Sequence, residues 1–201
     1  MTFVPGQRIV AVMAELATFI EARHEPTGPV ATFSTEVATE MVTREISTED
    51  AAVILLRFEN GARGAVSISQ ISAGRKNSLQ YEIDGSASSV AWDSEQPDQI
   101  WFGHRERANE ILIKNPALMG AAGRAAASLP GGHVEGFGDT FGAHFRAIYA
   151  DVVAGGPAVA PSYPTFADGH DEMLVNDAIA ESTRTGRWVD VVRDVRPAAA
   201  R

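Results

Sequence analysis

Residues 49–70 read EDAAVILLRFENGARGAVSISQ, two apolar runs joined by a polar, glycine-containing turn. The first run, Ala51 to Phe58, is apolar at every position but Arg57 and too short for a self-sufficient helix. It reads as a strand buried on both faces. Asn60-Gly61 follows, the dipeptide whose members both tolerate positive φ, so residues 51–71 are predicted to form a hairpin. In its second arm Val66 and Ile68 alternate with Ser67 and Ser69. The small hydroxyls then line one face, to meet solvent, a ligand or a partner.

Outward from this hairpin the chain continues in the same idiom. Arg8 to Ile20 (RIVAVMAELATFI) is a second long apolar run, read as another strand needing cover on both sides. Leu79 to Asp84 alternates, Gly85-Ser86 turns, and Ser89–Trp92, Gln99–Phe102 and Glu110–Ile113 are three further short strands of an antiparallel meander. Lys114 to Gly136 holds two prolines and several glycines without a steady period. It is a long loop with a short helix at Ala121–Ala127, and loops of that length within compact domains are often functional.

Helices come last. Phe137, Phe141, Phe145, Ile148, Tyr149 and Val152 recur at helical spacing over Gly138–Ala154, and Gly155-Gly156 ends the pattern. Thr165-Phe166-Ala167-Asp168 matches a capping box, Leu174, Val175, Ala178 and Ile179 form a stripe behind it, and Gly186 closes the helix. Arg187 to Val191 reads as a closing strand. Strands followed by two helices predict an α+β fold: an open, predominantly antiparallel β-sheet with helices packed on one face. Strands apolar on both sides imply that the other face is also covered, by a partner subunit or a partner domain. Residues 1–192 are taken as one domain and 193–201 as a disordered tail.

Composition narrows the function. The chain has 201 residues, 45% hydrophobic and 21% charged, with no cysteine, so disulfides, thiolate metal sites and cysteine nucleophiles are excluded. A formal charge of −9, with no basic run longer than Arg75-Lys76, argues against nucleic acid or anionic lipid as partners. The first twenty residues interrupt any apolar stretch with Gln7, Arg8 and Glu15, so a cytoplasmic location and no membrane partner are expected.

Catalytic signatures are sparse. There is no G-x-G-x-x-G after a strand, no P-loop and no G-x-S-x-G elbow; Gly120-Ala121-Ala122-Gly123 has no strand before it, and Ser72 no helix after it. The five histidines are scattered, and the one close cluster of possible metal ligands, Asp168, His170 and Glu172, reads as a solvated first helical turn rather than a metal site. His24, His104 and His144 read as ordinary strand, loop or helix residues, and Glu49 with Asp50 as the cap of an exposed corner. Pro130-Gly-Gly-His-Val-Glu-Gly-Phe137 offers more: an imidazole and a carboxylate two residues apart, between glycines, can converge on a hydroxylated ligand. The bland reading is a turn before a helix, with Glu135 complementing the helix dipole. A similar choice attaches to the polar stretch Ser69 to Asn77 leaving a strand.

Taken in order, Glu49–Gln70, Tyr81-Glu-Ile-Asp-Gly-Ser86, the Gly-Gly-His-Val-Glu-Gly-Phe loop, Pro164-Thr-Phe-Ala-Asp-Gly-His170 and Ser182-Thr-Arg-Thr-Gly-Arg-Trp-Val189 resemble the C-terminal domain of the Gfo/Idh/MocA oxidoreductases, relatives of glucose-fructose oxidoreductase and inositol dehydrogenase. The resemblance runs from Gln7 to Val191. It implies an enzyme in two parts, an N-terminal Rossmann domain holding NAD or NADP and a C-terminal sheet domain that helps form a sugar or polyol pocket and whose other face is used for subunit pairing, in a homo-oligomer. The family's Rossmann-domain lysine and its Asp-x-x-x-His helix have no counterpart in these residues. No catalytic and no cofactor-binding residue is therefore assigned, and the chain alone is expected to bind no cofactor and be inactive in hydride transfer. His133 and Glu135 become the expected substrate contacts, with Arg75, Lys76, Asn77 and Gln70 behind them. A free-standing, non-catalytic binding or oligomerisation module is the alternative.

Overall fold

The computed structural model describes residues 6–29 and 40–193. Their contacts fall into two compact units, one formed by the described residues up to Ala73 together with those from Ala167 onward, the other by Gly74–Phe166. All paired strands are antiparallel, and with three helices the fold is α+β, as the pattern of the sequence predicts.

The first unit is built on a four-stranded sheet. Its strands are β1 (Ile9–Ala17), β4 (Ala51–Phe58), β5 (Arg63–Ser69) and the short β10 (Val189–Asp190), in the order β10-β1-β4-β5. A separate hairpin pairs β2 (Ala22–Pro26) with β3 (Met41–Glu45). The β4–β5 turn is tighter than the apolar boundaries suggest: Phe58 donates its N–H to the Ala62 carbonyl at 3.1 Å, leaving a three-residue loop. Gly61 occupies the left-handed region at φ 89°, and the side-chain Oδ1 of Asn60 accepts the Ala62 N–H at 3.0 Å. Both members of the Asn-Gly pair thus serve the reversal.

Alternation along β1 and β4 sends Val12, Ala14, Ala52, Ile54 and Leu56 to one side, all buried. Leu174, Val175, Ala178 and Ile179 of α3 (Phe166–Thr185) pack onto them and form the core of the unit. The helix begins directly after Thr165 and stops at Gly186, φ 64°, where an L side chain would be strained. Burial on both faces, expected from the composition of β1 and β4, is met on one face only among the described residues. Met13, Val53 and Leu55 are 37%, 57% and 44% exposed on the other. There they fall in two cross-strand rows, Glu15–Val53–Ser67 and Met13–Leu55–Ala65.

Where β10 ends, the edge of β1 is completed by α3. Ser182, fully buried, accepts the Ala14 N–H at 2.9 Å and donates to the Arg187 carbonyl at 2.6 Å. One hydroxyl thus replaces a missing ladder rung and pins the helix-to-strand link. Asp50 corrects an expectation: rather than capping an exposed corner it is 3% exposed and accepts the N–H groups of Phe19 and Ile20. Those hydrogen bonds, that from Phe19 foremost, lower its pKa. Arg193, first residue of the expected tail, is held by Asp171 and by the Ile9 carbonyl. Residues 194–201 lie outside the described residues.

The second unit is the predicted meander, β6 (Gln80–Asp84), β7 (Ser88–Asp93), β8 (Gln99–His104) and β9 (Glu110–Ile113), in sequential order. A long connection holding α1 (Ala121–Ala126) then leads into α2 (Phe137–Val153). The aromatic stripe of α2 sets the helix as the spacing predicts, yet Phe137, Phe141, Phe145 and Tyr149 remain half or more exposed.

Candidate functional site

The loop from Lys114 to Gly136 is organised around one ion pair. Lys114 follows β9 directly and Glu135 precedes α2; their side chains, only 11% and 12% exposed, meet Nζ to Oε2. The other carboxylate oxygen of Glu135 accepts the backbone N–H groups of Ser128 at 2.6 Å and Leu129 at 3.1 Å. Chiefly through the Lys114 hydrogen bond, and with the two amides assisting against partial burial, the Glu135 pKa falls from 4.5 to about 2. The carboxylate is ionised at neutral pH, so the ion pair with Lys114 ties the two ends of the loop together.

Further contacts fix its interior. Arg124 donates to the carbonyls of Pro116 and Met119, and Arg146 of α2 donates to the Ser128 hydroxyl at 2.7 Å. Asp139 reaches back to the Gly136 N–H at 2.8 Å, holding the first turn of α2. Between these anchors Pro130 to His133 make a turn, closed by the His133 N–H on the Pro130 carbonyl, with Gly132 at φ 85° in its third position. Val134 and His133 stand at the surface, and the imidazole has no hydrogen-bond partner among the described residues. A neutral imidazole offers one donor and one acceptor, and here both are free to meet a hydroxylated molecule.

The two halves of the expected pair therefore do different things. His133 faces outward from a braced turn, while Glu135 points inward and spends three of its acceptor positions on the loop itself. Arg75, Lys76 and Asn77 lie exposed between β5 and β6; Arg75 reaches Glu95 at 3.4 Å. Gln70, at the end of β5, has an exposed side chain and donates its backbone N–H to Asp50. Gln70 belongs to the first unit and the other five to the second. Lys114 was not singled out from the sequence. Its only signal there is a lone lysine after an apolar strand, and its partner lies 21 residues away.

Two other clusters surround titratable groups. His104, 12% exposed, contacts Glu110 at 2.8 Å; with Arg107 beside it, that carboxylate is held below its ordinary range, the His104 hydrogen bond contributing most. Tyr163 donates to Asp151 at 2.9 Å, which raises the phenol pKa, and its ring meets His144 edge-on. Among the described residues no group of three His, Asp or Glu side chains could hold a metal ion, and no helix is long and apolar enough to cross a membrane.

A dinucleotide fits these residues poorly. Its phosphates are held by a glycine-rich turn between a parallel strand and a helix. The described strands are all antiparallel, and none of the three helices follows a strand through such a turn. No step is assigned to a nicotinamide within this chain.

Comparison with known proteins places the whole of this framework. Levoglucosan dehydrogenase of Pseudarthrobacter phenanthrenivorans is 29% identical over 184 residues, 90% of this chain but 46% of that protein. A solved structure of levoglucosan dehydrogenase in complex with NADH and L-sorbose superposes with a TM-score of 0.73 at 27% identity, covering 92% of this chain and 45% of its own. An oxidoreductase domain protein from Kribbella flavida gives 0.76 at 26% identity, covering 96% and 47%. The chain spans about half the length, or less, of the curated relatives it matches. Residues 8–191 match the family described as "Oxidoreductase family, C-terminal alpha/beta domain", the Gfo/Idh/MocA C-terminal domain, and the chain belongs to that family.

Proposed function

We propose that this chain is the substrate-side half of an NAD(P)-dependent oxidoreductase acting on a sugar or polyol. An N-terminal Rossmann domain would complete it, and the Pro130–His133 turn would present His133 to the substrate. The observation that carries the reading is the division of labour in the loop. An unengaged imidazole stands on a turn held from behind by the Glu135–Lys114 pair. Such rigidity is what a hydrogen bond to a hydroxyl needs if it is to orient a substrate rather than follow it. Names of the relatives support the substrate class: one is a levoglucosan dehydrogenase, and solved forms of that enzyme hold NADH with L-sorbose or with levoglucosan.

In this reading His133 makes a substrate contact, and Glu135 acts through the loop rather than on the ligand. Arg75, Lys76, Asn77 and Gln70 remain exposed polar groups able to bond further hydroxyls. Pairing of two copies through the open face of the first sheet is the second part of the proposal. Met13, Val53 and Leu55 form its apolar centre, with Glu15 toward one end and Arg57 toward the other. A two-fold axis through that centre would bring opposite charges together.

The test joins the chain to the N-terminal half of the levoglucosan dehydrogenase relative and titrates NADH by calorimetry, beside the chain alone. Binding by the joined form only is expected, with NAD(P)-dependent oxidation of one of a panel of anhydrosugars, aldoses and inositols. His133→Ala should raise KM about tenfold or more with a smaller change in kcat, the loss of one hydrogen bond to bound substrate. Tight NADH binding by the chain alone, or an unchanged KM in the variant, would refute the proposal.

A further inference from the structure

The meander of the second unit has two faces of unlike character. Tyr81, Ile83, Val90, Trp92, Ile100 and Phe102 alternate onto one of them and carry its apolar packing, Tyr81 stacked on Trp92 at 5.6 Å. On the other face the row Glu82–Ala91–Trp101–Ile111 runs across all four strands, flanked by Asp84–Ser89–Gly103 on one side and by the pairs Gln80–Asp93 and Gln99–Ile113 on the other. Trp101 lies flat along β8 over Gly103: a Cβ on that glycine would stand 2.4 Å from the indole. Gly103 is buried beneath the ring, and Ala91 is the small neighbour across the strand. The ring is thus laid down as a platform on the face opposite Tyr81, Trp92 and Phe102.

Around the platform is a shallow depression of about 450 Å³. Gln80 donates to Asp93 at 2.7 Å, and the Glu95 N–H fixes the second oxygen of Asp93 at 2.8 Å. The side chains of Glu82, Gln96 and Gln99, which also line it, have no hydrogen-bond partner among the described residues. A flat aromatic surface beside unspent amides and a carboxylate suits a ligand with an apolar C–H face and a rim of hydroxyls. Two carboxylates nearby disfavour an anionic ligand.

We propose that this depression is a binding site for a neutral pyranose carbohydrate, its C–H face stacked on Trp101 and its hydroxyls bonded by Glu82, Gln96 and Gln99. The site is independent of the His133 loop and needs no second domain.

The chain carries three tryptophans, so its ¹⁵N-labelled indole N–H groups give a small, assignable set of resonances. Titration with methyl β-D-glucopyranoside and with cellobiose should shift the Trp101 resonance saturably, with Kd on the order of 1 mM, while Trp188 stays put. Glycerol, which has hydroxyls but no ring face, should do nothing, and glucose 6-phosphate should bind more weakly than glucose. By saturation-transfer NMR on the sugar, Trp101→Ala should abolish the signal, Trp101→Phe should keep it with weaker binding, and Gln99→Ala should weaken it several-fold. If Trp101→Ala fails to fold, the phenylalanine and Gln99 variants still decide. No saturable shift up to about 100 mM sugar, an equal response to glycerol, or full binding by Gln99→Ala with Glu82→Gln would overturn the proposal. So would a Trp101 resonance that follows protein concentration and ignores sugar, which would make a second copy the occupant.

Discussion

Replacing Glu135 by glutamine tests the brace on which the candidate loop depends. The change is nearly isosteric, so it leaves packing alone and removes charge. One amide oxygen can still accept from Ser128 and Leu129, but the new NH₂ group faces the Lys114 ammonium, donor against donor. Breaking a fully buried ion pair from one side costs about 3–5 kcal/mol. Both partners here keep slight solvent access, 11% and 12%, so roughly 1–3 kcal/mol is expected. Hydrogen exchange reads this locally: a loss of about 2 kcal/mol in opening free energy speeds exchange roughly thirty-fold. The amides of Ser128 and Leu129 should show it, while those of β4 should not change. A double-mutant cycle with Lys114→Met should return a coupling of about 1–2 kcal/mol, since the second substitution removes the stranded cation. Exchange at Ser128 and Leu129 altered less than about twofold, or strict additivity in the cycle, would refute the idea that this pair holds the loop.

Ser182→Ala should destabilise the first unit by about 2–5 kcal/mol in urea titration, because the Ala14 N–H and the Arg187 carbonyl each lose a partner where water cannot reach; a loss below about 0.5 kcal/mol would mean that neither group is truly sealed. Acid should release the Glu135 clamp with a definite sign. The folded pKa of that carboxylate lies below its unfolded value, so its stabilisation is whole above about 4.5 and fades as pH falls toward about 2. Carbon-detected NMR of the Glu135 carboxyl should report a midpoint near 2, and an ordinary value near 4.5 would dissolve the clamp. Leu55→Glu places a charge in the middle of the open face of the first sheet. If the proposed pairing through that face holds, sedimentation velocity should show the parent chain self-associating and the variant monomeric at the same concentration, with unchanged circular dichroism; a parent chain that stays monomeric would refute the pairing.

The strands and helices were legible because each is governed by short-range periodicity. Eight residues, apolar but for Arg57, followed by Glu-Asn-Gly specify β4 and its turn without knowledge of anything distant, and the aromatic spacing of α2 does the same. Burial was less legible, since composition reports what a strand could bury and not whether a neighbour is supplied. Val53 and Leu55 have the same composition-level signal as Ile54 and Leu56, yet only the latter pair meets α3. Asp50 erred in the opposite direction. A charged residue ahead of a strand reads as surface, and its burial follows from two amides 30 and 31 positions away that need an acceptor.

The candidate loop shows why site chemistry is harder to read than fold. His133 and Glu135 are separated by one residue and look equivalent as ligand groups, but their surroundings assign them opposite duties. What decides the matter is Lys114: with its ammonium beside β9, the Glu135 carboxylate gains a charged partner and two amides, and turning outward would strand all three. The imidazole has no such inducement and is left to the surface. A sequence carrying Leu at position 114 would free Glu135 to face outward, and the same eight-residue motif would then present a carboxylate as well as an imidazole to its ligand. On the proposed reading of the loop as a substrate contact, Lys114→Leu should therefore change which sugars the joined enzyme oxidises before it changes whether the domain folds, and an unchanged sugar panel would refute that role for Lys114.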